Sequence, residues 1–353
     1  MTEAAQRPLR IATYNVEWFD ALFDDEGMPI ADEAWSRRYD VTRAAQLEAL
    51  GIVFTALDAD AVLVVEAPDH GKNGRTMMAL EAFAKLFDLR ARKALVGFAN
   101  DTQQEIALLY DPDVIAARHV PMGEETGKKG SKDAPRFDSV FRIDLDIDAR
   151  EDLVRFSKPP LEVELRVAGE VIHLIGVHIK SKAPHGAGTA EEATRISIAN
   201  RRKQLAQSIW LRRRVEAHLE RGHKLIVLGD FNDGPGLDEY EALFGRSGLE
   251  IVLGVDAPGH LRLVDPHARR ALSGGHLQAH DTSARFYIHE EKRYLTALLD
   301  YVMLSRNLSD QALEWRIWHP FDDPRCYAVP ELREALLMAS DHFPVSVDLL
   351  PGL

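Results

Sequence analysis

Short, mostly continuous apolar runs rich in β-branched residues recur along this chain, and a polar cluster stands beside most of them. The runs are Ile11–Val16, Ala61–Val65, Ile106–Tyr110, Leu161–Val167, Val171–Val177, Leu225–Leu228, Leu299–Leu304 and Val345–Leu349. Their brevity and their bounding turn residues are those of strands buried inside a layered domain. Helical periodicity falls between some of them. Leu47, Leu50, Phe54 and Leu57 step by three and four, which gives one apolar face just ahead of the Ala61 run. Ile198, Leu205 and Ile209 are spaced by seven and four along a longer, strongly basic stretch. Mixed strands and helices predict an α/β sandwich with sheets inside and helices outside.

A length of 353 residues suits one large domain or two small ones. No Pro- or Ser-rich linker and no internal repeat divides the chain, so residues 10–353 are expected to form one domain with loop insertions, and residues 1–9 to fray. Irregular stretches are expected at Asp111–Arg136, Ser181–Thr189 and Ala257–Ser283, the last with glycines and histidines. The single cysteine, Cys326, excludes an internal disulfide and a thiolate metal cage. The first residues carry no apolar signal-peptide core and no apolar run reaches membrane-spanning length, so a cytoplasmic protein with no membrane partner is expected. A formal net charge of −13 argues against tight, sequence-independent duplex binding over a wide basic face. It does not exclude a polyanionic substrate, because a carboxylate cluster that holds a divalent metal is locally less negative than its formal count.

The polar clusters are Tyr14-Asn15-Val16-Glu17, Val65-Glu66, Val177-His178-Ile179-Lys180, Gly229-Asp230-Phe231-Asn232, Leu299-Asp300-Tyr301 and Ser340-Asp341-His342. Taken singly, each reads as a turn or a solvated flank. Taken together, six strand-end clusters supply what phosphodiester hydrolysis demands: charge neutralisation, a deprotonated and aimed water, and a stabilised leaving oxygen. Glu17, Glu66, Asp230, Asp300 and Asp341 are the carboxylates. Asn15 and Asn232 orient without adding charge, and His178, Lys180 and His342 can face phosphate. Five converging carboxylates repel one another unless some stay protonated or a cation sits among them. Metal dependence is therefore expected, and the oxygen-rich donors favour Mg²⁺, with Mn²⁺ as a substitute, over Zn²⁺. His276-Leu-Gln-Ala-His280 has helical ligand spacing but lacks a zinc-protease glutamate and reads as loop.

Thr13-Tyr14-Asn15, the run ending at Glu66, His178, Gly229-Asp230-Phe231-Asn232, Leu299-Asp300-Tyr301 and Ser340-Asp341-His342 together resemble the endonuclease/exonuclease/phosphatase superfamily, in its motif order, from residue 11 to residue 349. Lys158-Pro159-Pro160-Leu161 is similar to a family segment that carries arginine at the first position. The resemblance implies a four-layer αββα sandwich, two packed mixed sheets flanked by helices, with the site at one edge. It implies Glu66 as principal metal ligand with Asn15, Glu17 and Asp341 close by. It also implies Asp230 as the group that positions or deprotonates water, Asn232 as its orienting partner or a phosphate contact, and His342 on the scissile phosphate. Asp300 then fixes the tautomer of His342 and favours its imidazolium, and His178 is a second phosphate ligand.

Substrate is less legible. Gly176-Val177-His178-Ile179-Lys180-Ser181-Lys182 and Tyr294-Leu295-Thr296 depart from the segments that abasic-site repair members carry, and look more like bacterial nuclease-like members. Arg195, Arg201, Arg202, Lys203, Arg212, Arg213 and Arg214 lie on the basic helix. They read either as a solvated face or as a wall that steers a phosphate chain, with Arg201, Arg202, Lys158 and Lys180 as substrate contacts. The leading expectation is a Mg²⁺-dependent phosphodiesterase acting on nucleic acid or nucleotides. The alternatives are a phosphatase or phospholipid/sphingolipid diesterase of the same fold, and an inactive binding module. Oligomeric state is not legible.

Overall fold

A computed structural model describes residues 7–71, 74–100, 102, 104–145, 151–184, 186–234, 245–273, 281–288 and 292–350. Two six-stranded mixed sheets form its centre. The first contains β1 (Leu9–Asn15), β2 (Ala61–Ala67), β3 (Lys93–Val96), β4 (Glu105–Tyr110), β15 (Ala312–Ile317) and β16 (Val345–Leu349), in the order β15-β16-β1-β2-β4-β3. The second contains β5 (Ile115–His119), β8 (Leu161–Val167), β9 (Glu170–His178), β10 (Lys224–Asp230), β11 (Leu263–Val264) and β14 (Asp300–Ser305), in the order β11-β14-β10-β9-β8-β5. Two ribbons stand apart, β6–β7 (Phe141–Ile143 with Asp152–Val154) and β12–β13 (Ala284–Ile288 with Arg293–Ala297).

Each large sheet has one parallel pair near its middle, β1 with β2 and β9 with β10, among antiparallel neighbours. That arrangement fixes where polar residues collect. The carboxyl ends of a parallel pair lie at the same sheet edge as the amino ends of the antiparallel strands beside them. Asn15, the Glu66 bulge, His178 and Asp230 stand at or near such carboxyl ends, while Asp300 begins β14 and His342 precedes β16. Register puts His178, Asp230 and Asp300 side by side across β9, β10 and β14.

The inner faces interdigitate in one apolar core, with Ile11, Leu63 and Val65 from one sheet meeting Ile172, Leu174 and Ile226 from the other. The sheets approach closely at Gly176, where an added Cβ would lie 2.2 Å from a Leu63 methyl. Helices α1 (Arg43–Leu57), α2 (Arg75–Leu86) and α5 (Pro330–Ala339) cover the outer face of the first sheet, through Leu47, Leu50, Phe54, Phe83 and Leu336. Helix α3 (Ala190–Leu219) covers the second through Ala206, Trp210, Leu211 and Val215. These are the expected four layers. No helix among the described residues is long and apolar enough to cross a membrane.

Several expectations are corrected. Of the spaced residues Ile198, Leu205 and Ile209 on α3, Leu205 is buried and Ile198 is exposed, and the buried side of the helix continues through Trp210, Leu211 and Val215. The stretch 111–136 contains β5, and 257–283 contains β11 and α4 (Pro266–Ser273). These elements are too short or too exposed to leave a clear apolar period. His276 and His280 lie outside the described residues.

Gly229 sits at φ +134 just before Asp230, and an added Cβ would lie 2.0 Å from the Val177 carbonyl oxygen. Neither the backbone nor that oxygen can yield cheaply. Gly229→Ala should lower unfolding stability by about 3 kcal/mol or more. Urea denaturation checks this, and a loss under about 1 kcal/mol would contradict it.

Candidate active site

The sandwich edge gathers the predicted residues from both sheets into one polar cleft. Asp230 is its most constrained member. Its Oδ2 accepts from Asn15 Nδ2 at 3.1 Å and Asn232 Nδ2 at 3.0 Å, and its Oδ1 accepts from the Asn232 backbone N–H at 2.8 Å. Asn232 holds a left-handed φ of +48, which turns the chain back so that both its amides reach Asp230. Burial, and then the Asp300 charge, push the Asp230 carboxyl up to about 7, against the imidazolium of His342 and these amides.

His342 Nδ1 donates to Asp300 Oδ2 at 2.7 Å. Burial opposes protonation of His342, but Asp300, and then Asp230 and Asp341, outweigh it and hold the ring as an imidazolium well above its ordinary range. Ser283 Oγ donates to the same Asp300 oxygen at 2.8 Å and accepts from the Leu299 and Asp300 N–H groups. The β12–β13 ribbon locks onto the Asp341-His342 segment, with Arg285 N–H donating to the Asp341 carbonyl at 2.7 Å. His178 behaves oppositely. Lys158 Nζ lies 3.2 Å from its Nδ1, and an ammonium can only donate, so Nδ1 accepts and Nε2 carries the proton, 3.6 Å from Asp230 Oδ2. Burial, with the charges of Lys158 and His342, keeps that ring neutral.

The metal-side carboxylates face one another. Glu66 lies at a β-bulge with φ +61, a device that swings its side chain out of the ladder into the cleft. Its Oε2 accepts from Gln104 Nε2 at 2.6 Å, and Gln104 Oε1 accepts from Lys158 Nζ at 2.5 Å. Burial raises the Glu66 carboxyl, Lys158 and His342 oppose this, and Asp341 adds to it. Glu17 is pushed up to about 7 by burial and by Asp341, although Arg38 pairs with it directly. Ser340 Oγ ties these strands together by donating to the Asn15 carbonyl at 2.8 Å and accepting from the Glu17 and His342 N–H groups, each at 3.2 Å. Asn15 Oδ1 is buried with no hydrogen-bond donor among the described residues.

One side of the site could hold a cation. Glu17, Glu66 and Asp341 repel one another, offer only oxygen, and stand with the orphaned oxygen of Asn15, which is the donor set a hard divalent ion takes. Asp230, Asp300 and His342 also lie with ligand atoms within 4.8 Å of one another. That trio is better described as a hydrogen-bonded ion pair, because the Asp300 Oδ2 is taken by Ser283 and by a protonated His342. Glu66, Asn15, Glu17 and Asp341 fit a metal; Asp230, Asn232, Asp300, His178 and His342 fit proton and phosphate handling.

The basic helix departs from expectation. Arg201 is 1% exposed, and its guanidinium bonds Gln204 Oε1 and, at 3.1 Å, Asp233 Oδ2 behind the Asp230–Asn232 turn. Arg202 binds Asp152 at 2.9 Å. Arg214 pairs with Glu162, and Arg212 caps the Val252 and Leu261 carbonyls. These side chains fasten loops to α3 and present no phosphate-steering wall, so Arg201 and Arg202 are withdrawn as substrate contacts. Lys158 is inside the cleft, and Lys180 is half-buried close enough for its charge to act on Lys158 and His178. Sequence reasoning missed Ser283, Gln104 and Arg38. Only Ser340 lay inside a recognised motif, without a role.

The profile of the Endonuclease/Exonuclease/phosphatase family matches residues 12–342. The chain belongs to that family. Its members are metal-dependent phosphoric ester hydrolases, and the fold here is theirs. No curated protein matches the sequence significantly. Solved structures similar in outline include a truncated TDP2 from Caenorhabditis elegans (13% identity, 97% of each chain covered, TM-score 0.48). An AP endonuclease from Archaeoglobus fulgidus is similar at 12% identity, covering 97% of this chain and 99% of that one, with a TM-score of 0.48. The 3′-5′ exonuclease NExo from Neisseria meningitidis is similar at 14%, 97% and 99%, with a TM-score of 0.48.

The raised carboxyls give this family member a pH signature. Glu17 and Asp230 titrate near 7 when folded without metal, and at 4.5 and 3.8 as free side chains. The folded state then binds more protons between those limits, so stability falls as pH rises from about 4 to about 7. A divalent cation offsets the ionised cluster. The rise in melting temperature caused by Mg²⁺ should be several-fold larger at pH 8 than at pH 5, measured against chelator. Equal rises at both pH values would remove the cation from this cluster.

Proposed function

We propose that the protein is a Mg²⁺-dependent phosphodiesterase, nuclease-like, that hydrolyses a diester of nucleic acid or nucleotide by in-line attack of water. The observation that carries this is Asp230. Two asparagine amides clamp it, and burial tunes it to about 7, the range in which a carboxylate both accepts a proton at neutral pH and releases it again. Glu66, Glu17, Asp341 and the Asn15 side-chain oxygen would hold the cation. When bound there, the ion neutralises phosphate charge and lowers the pKa of water.

The chain's own groups do the rest. Asn15 and Asn232 fix the Asp230 carboxylate so that one oxygen faces the attacking water and takes its proton. The imidazolium of His342, aimed by Asp300, donates from Nε2 to a non-bridging phosphate oxygen, where negative charge grows. The neutral His178 donates from Nε2 to the same region without adding charge. Lys158 holds the His178 tautomer and counters Glu66 through Gln104. Lys180 meets the phosphate chain outside. With few uncommitted cations, the cleft suits the single charge of a diester better than the dianion of a monoester.

Asp230→Asn keeps the shape and removes the base. It should reduce kcat by about 10²–10⁴-fold with an unchanged circular dichroism spectrum. A substrate panel with Mg²⁺, Mn²⁺ and chelator separates diester from monoester. Wild-type turnover in Asp230→Asn, or monoester hydrolysis without diester hydrolysis, would overturn this reading.

A further inference from the structure

A second group of potential ligands lies at the other end of β9. His173 is five residues before His178, about 17 Å along the strand. His218 is in the last turn of α3, and His223 precedes β10. A tight turn after the helix brings the last two together: the His223 N–H donates to the His218 carbonyl at 3.2 Å, and Gly222 supplies a φ of +69. His173 points to the opposite sheet face from Gly176, which meets Leu63 of the other sheet, so it points toward α3. Its ring stacks on His223 at 4.1 Å, with planes 14° apart.

We propose that His173, His218 and His223 form a binding site for a borderline divalent transition-metal ion of the Zn²⁺ class, which clamps the carboxyl end of α3 to the second sheet. One ligand nitrogen from each ring lies within 4.8 Å of the others. Tetrahedral bonds of ~2.0–2.1 Å place such nitrogens ~3.3 Å apart, so the stacked rings of His173 and His223 must unstack and turn their edges toward a shared ion. The Nδ1 atoms of His218 and His223 already face each other at 2.9 Å. Without a cation, one of them must donate to the other.

His218 is 3% exposed, and its Nε2 is buried with no hydrogen-bond partner among the described residues, so only the Nδ1 contact with His223 bears on its tautomer. Its proton can sit on Nε2 and leave the Nδ1 lone pair for an ion. Burial, with His173 and His223 beside it, pushes this ring down to about 3, and burial also lowers His173 and His223. All three are therefore neutral ligands at physiological pH. His173 and His223 are half-buried, which leaves a fourth position for water. Three imidazoles select Zn²⁺, Ni²⁺ or Cu²⁺ over Mg²⁺, the reverse of the oxygen-rich cleft.

Two probes test the site on the chelator-treated full chain: Zn²⁺ by titration calorimetry and melting temperature, and Co²⁺ by visible absorption. We expect one equivalent of Zn²⁺ to bind and raise the melting temperature by several degrees, with an intense tetrahedral Co²⁺ band. Glu66→Gln, which alters the other cleft, should keep this binding. His223→Ala and, separately, His173→Gln should weaken it about 100-fold or more, while Mg²⁺-supported diester hydrolysis stays at the wild-type rate. Wild-type protein that gives only weak, octahedral-type Co²⁺ absorption overturns the proposal even if a variant fails to fold. So does Zn²⁺ affinity that survives both histidine variants or disappears with Glu66→Gln alone.

Discussion

The hydrogen bond from Asn15 to Asp230 joins the end of β1 in one sheet to the end of β10 in the other. Its 3.1 Å length ties the two sheet edges at the point where the acids of both come together. Beneath it the sheets meet at Gly176 and Leu63, where no Cβ fits, and this close approach lets an amide reach across the seam. Around that bond the other contacts take their places. Ser340 bonds the Asn15 carbonyl and the His342 amide, so the last motif is set by the first strand. Ser283 and the ribbon of β12 and β13 hold Asp300 and His342 from the other side.

Such convergence concentrates negative charge in a buried place, and the protein answers in two ways. On one side, fixed cations are built in. His342 sits between Asp300 and Asp230, so the pair carries its own proton, and Asn232 offers neutral dipoles. On the other side the compensation is incomplete. Glu17 has Arg38, and Glu66 reaches Lys158 only through Gln104, while Asp341 stands 4.0 Å from His342. Burial still raises Glu17 and Glu66 despite those neighbours. Burial and Asp300 raise Asp230 as well, so the deficit spans both halves; what marks the Glu66 side is that its carboxylate reaches a cation only through Gln104.

Legibility from sequence followed burial. Leu161–Val167 and Val345–Leu349 were delimited to the residue, because both alternate apolar with polar residues at the strand period and bury their apolar side chains inside the sandwich. Strands β12 and β13 were missed, since Arg293 to Thr296 are exposed and a surface ribbon has no inner face to impose a period. The motifs located Asp230, His178, Asp300 and His342 because each ends or begins a buried strand. Ser283 and Arg38 come from segments without such a frame, Gln104 precedes β4 but belongs to no recognised motif, and the roles of all three exist only through distant partners. The arginines of α3 were misjudged for a related reason. Composition shows that a helix is basic, but it does not show that Arg201 and Arg214 find Asp233 and Glu162 in the interior.

Those inward arginines change how a phosphate chain can arrive. A chain with a net charge of −13 repels polyanions at a distance, and the helix offers few outward guanidiniums to reverse that field. At physiological ionic strength the repulsion fades beyond about 8 Å, so a substrate near the cleft responds mainly to what lies at its mouth. On the proposed function it would meet Lys180 there, and deeper in Lys158 and the imidazolium of His342. Recognition is then short-ranged. It depends on where one phosphate can sit against fixed donors, and much less on the charge of the whole polymer. This makes a globally acidic surface compatible with chemistry on a polyanion: attraction is confined to the cleft where the ester bond is cut.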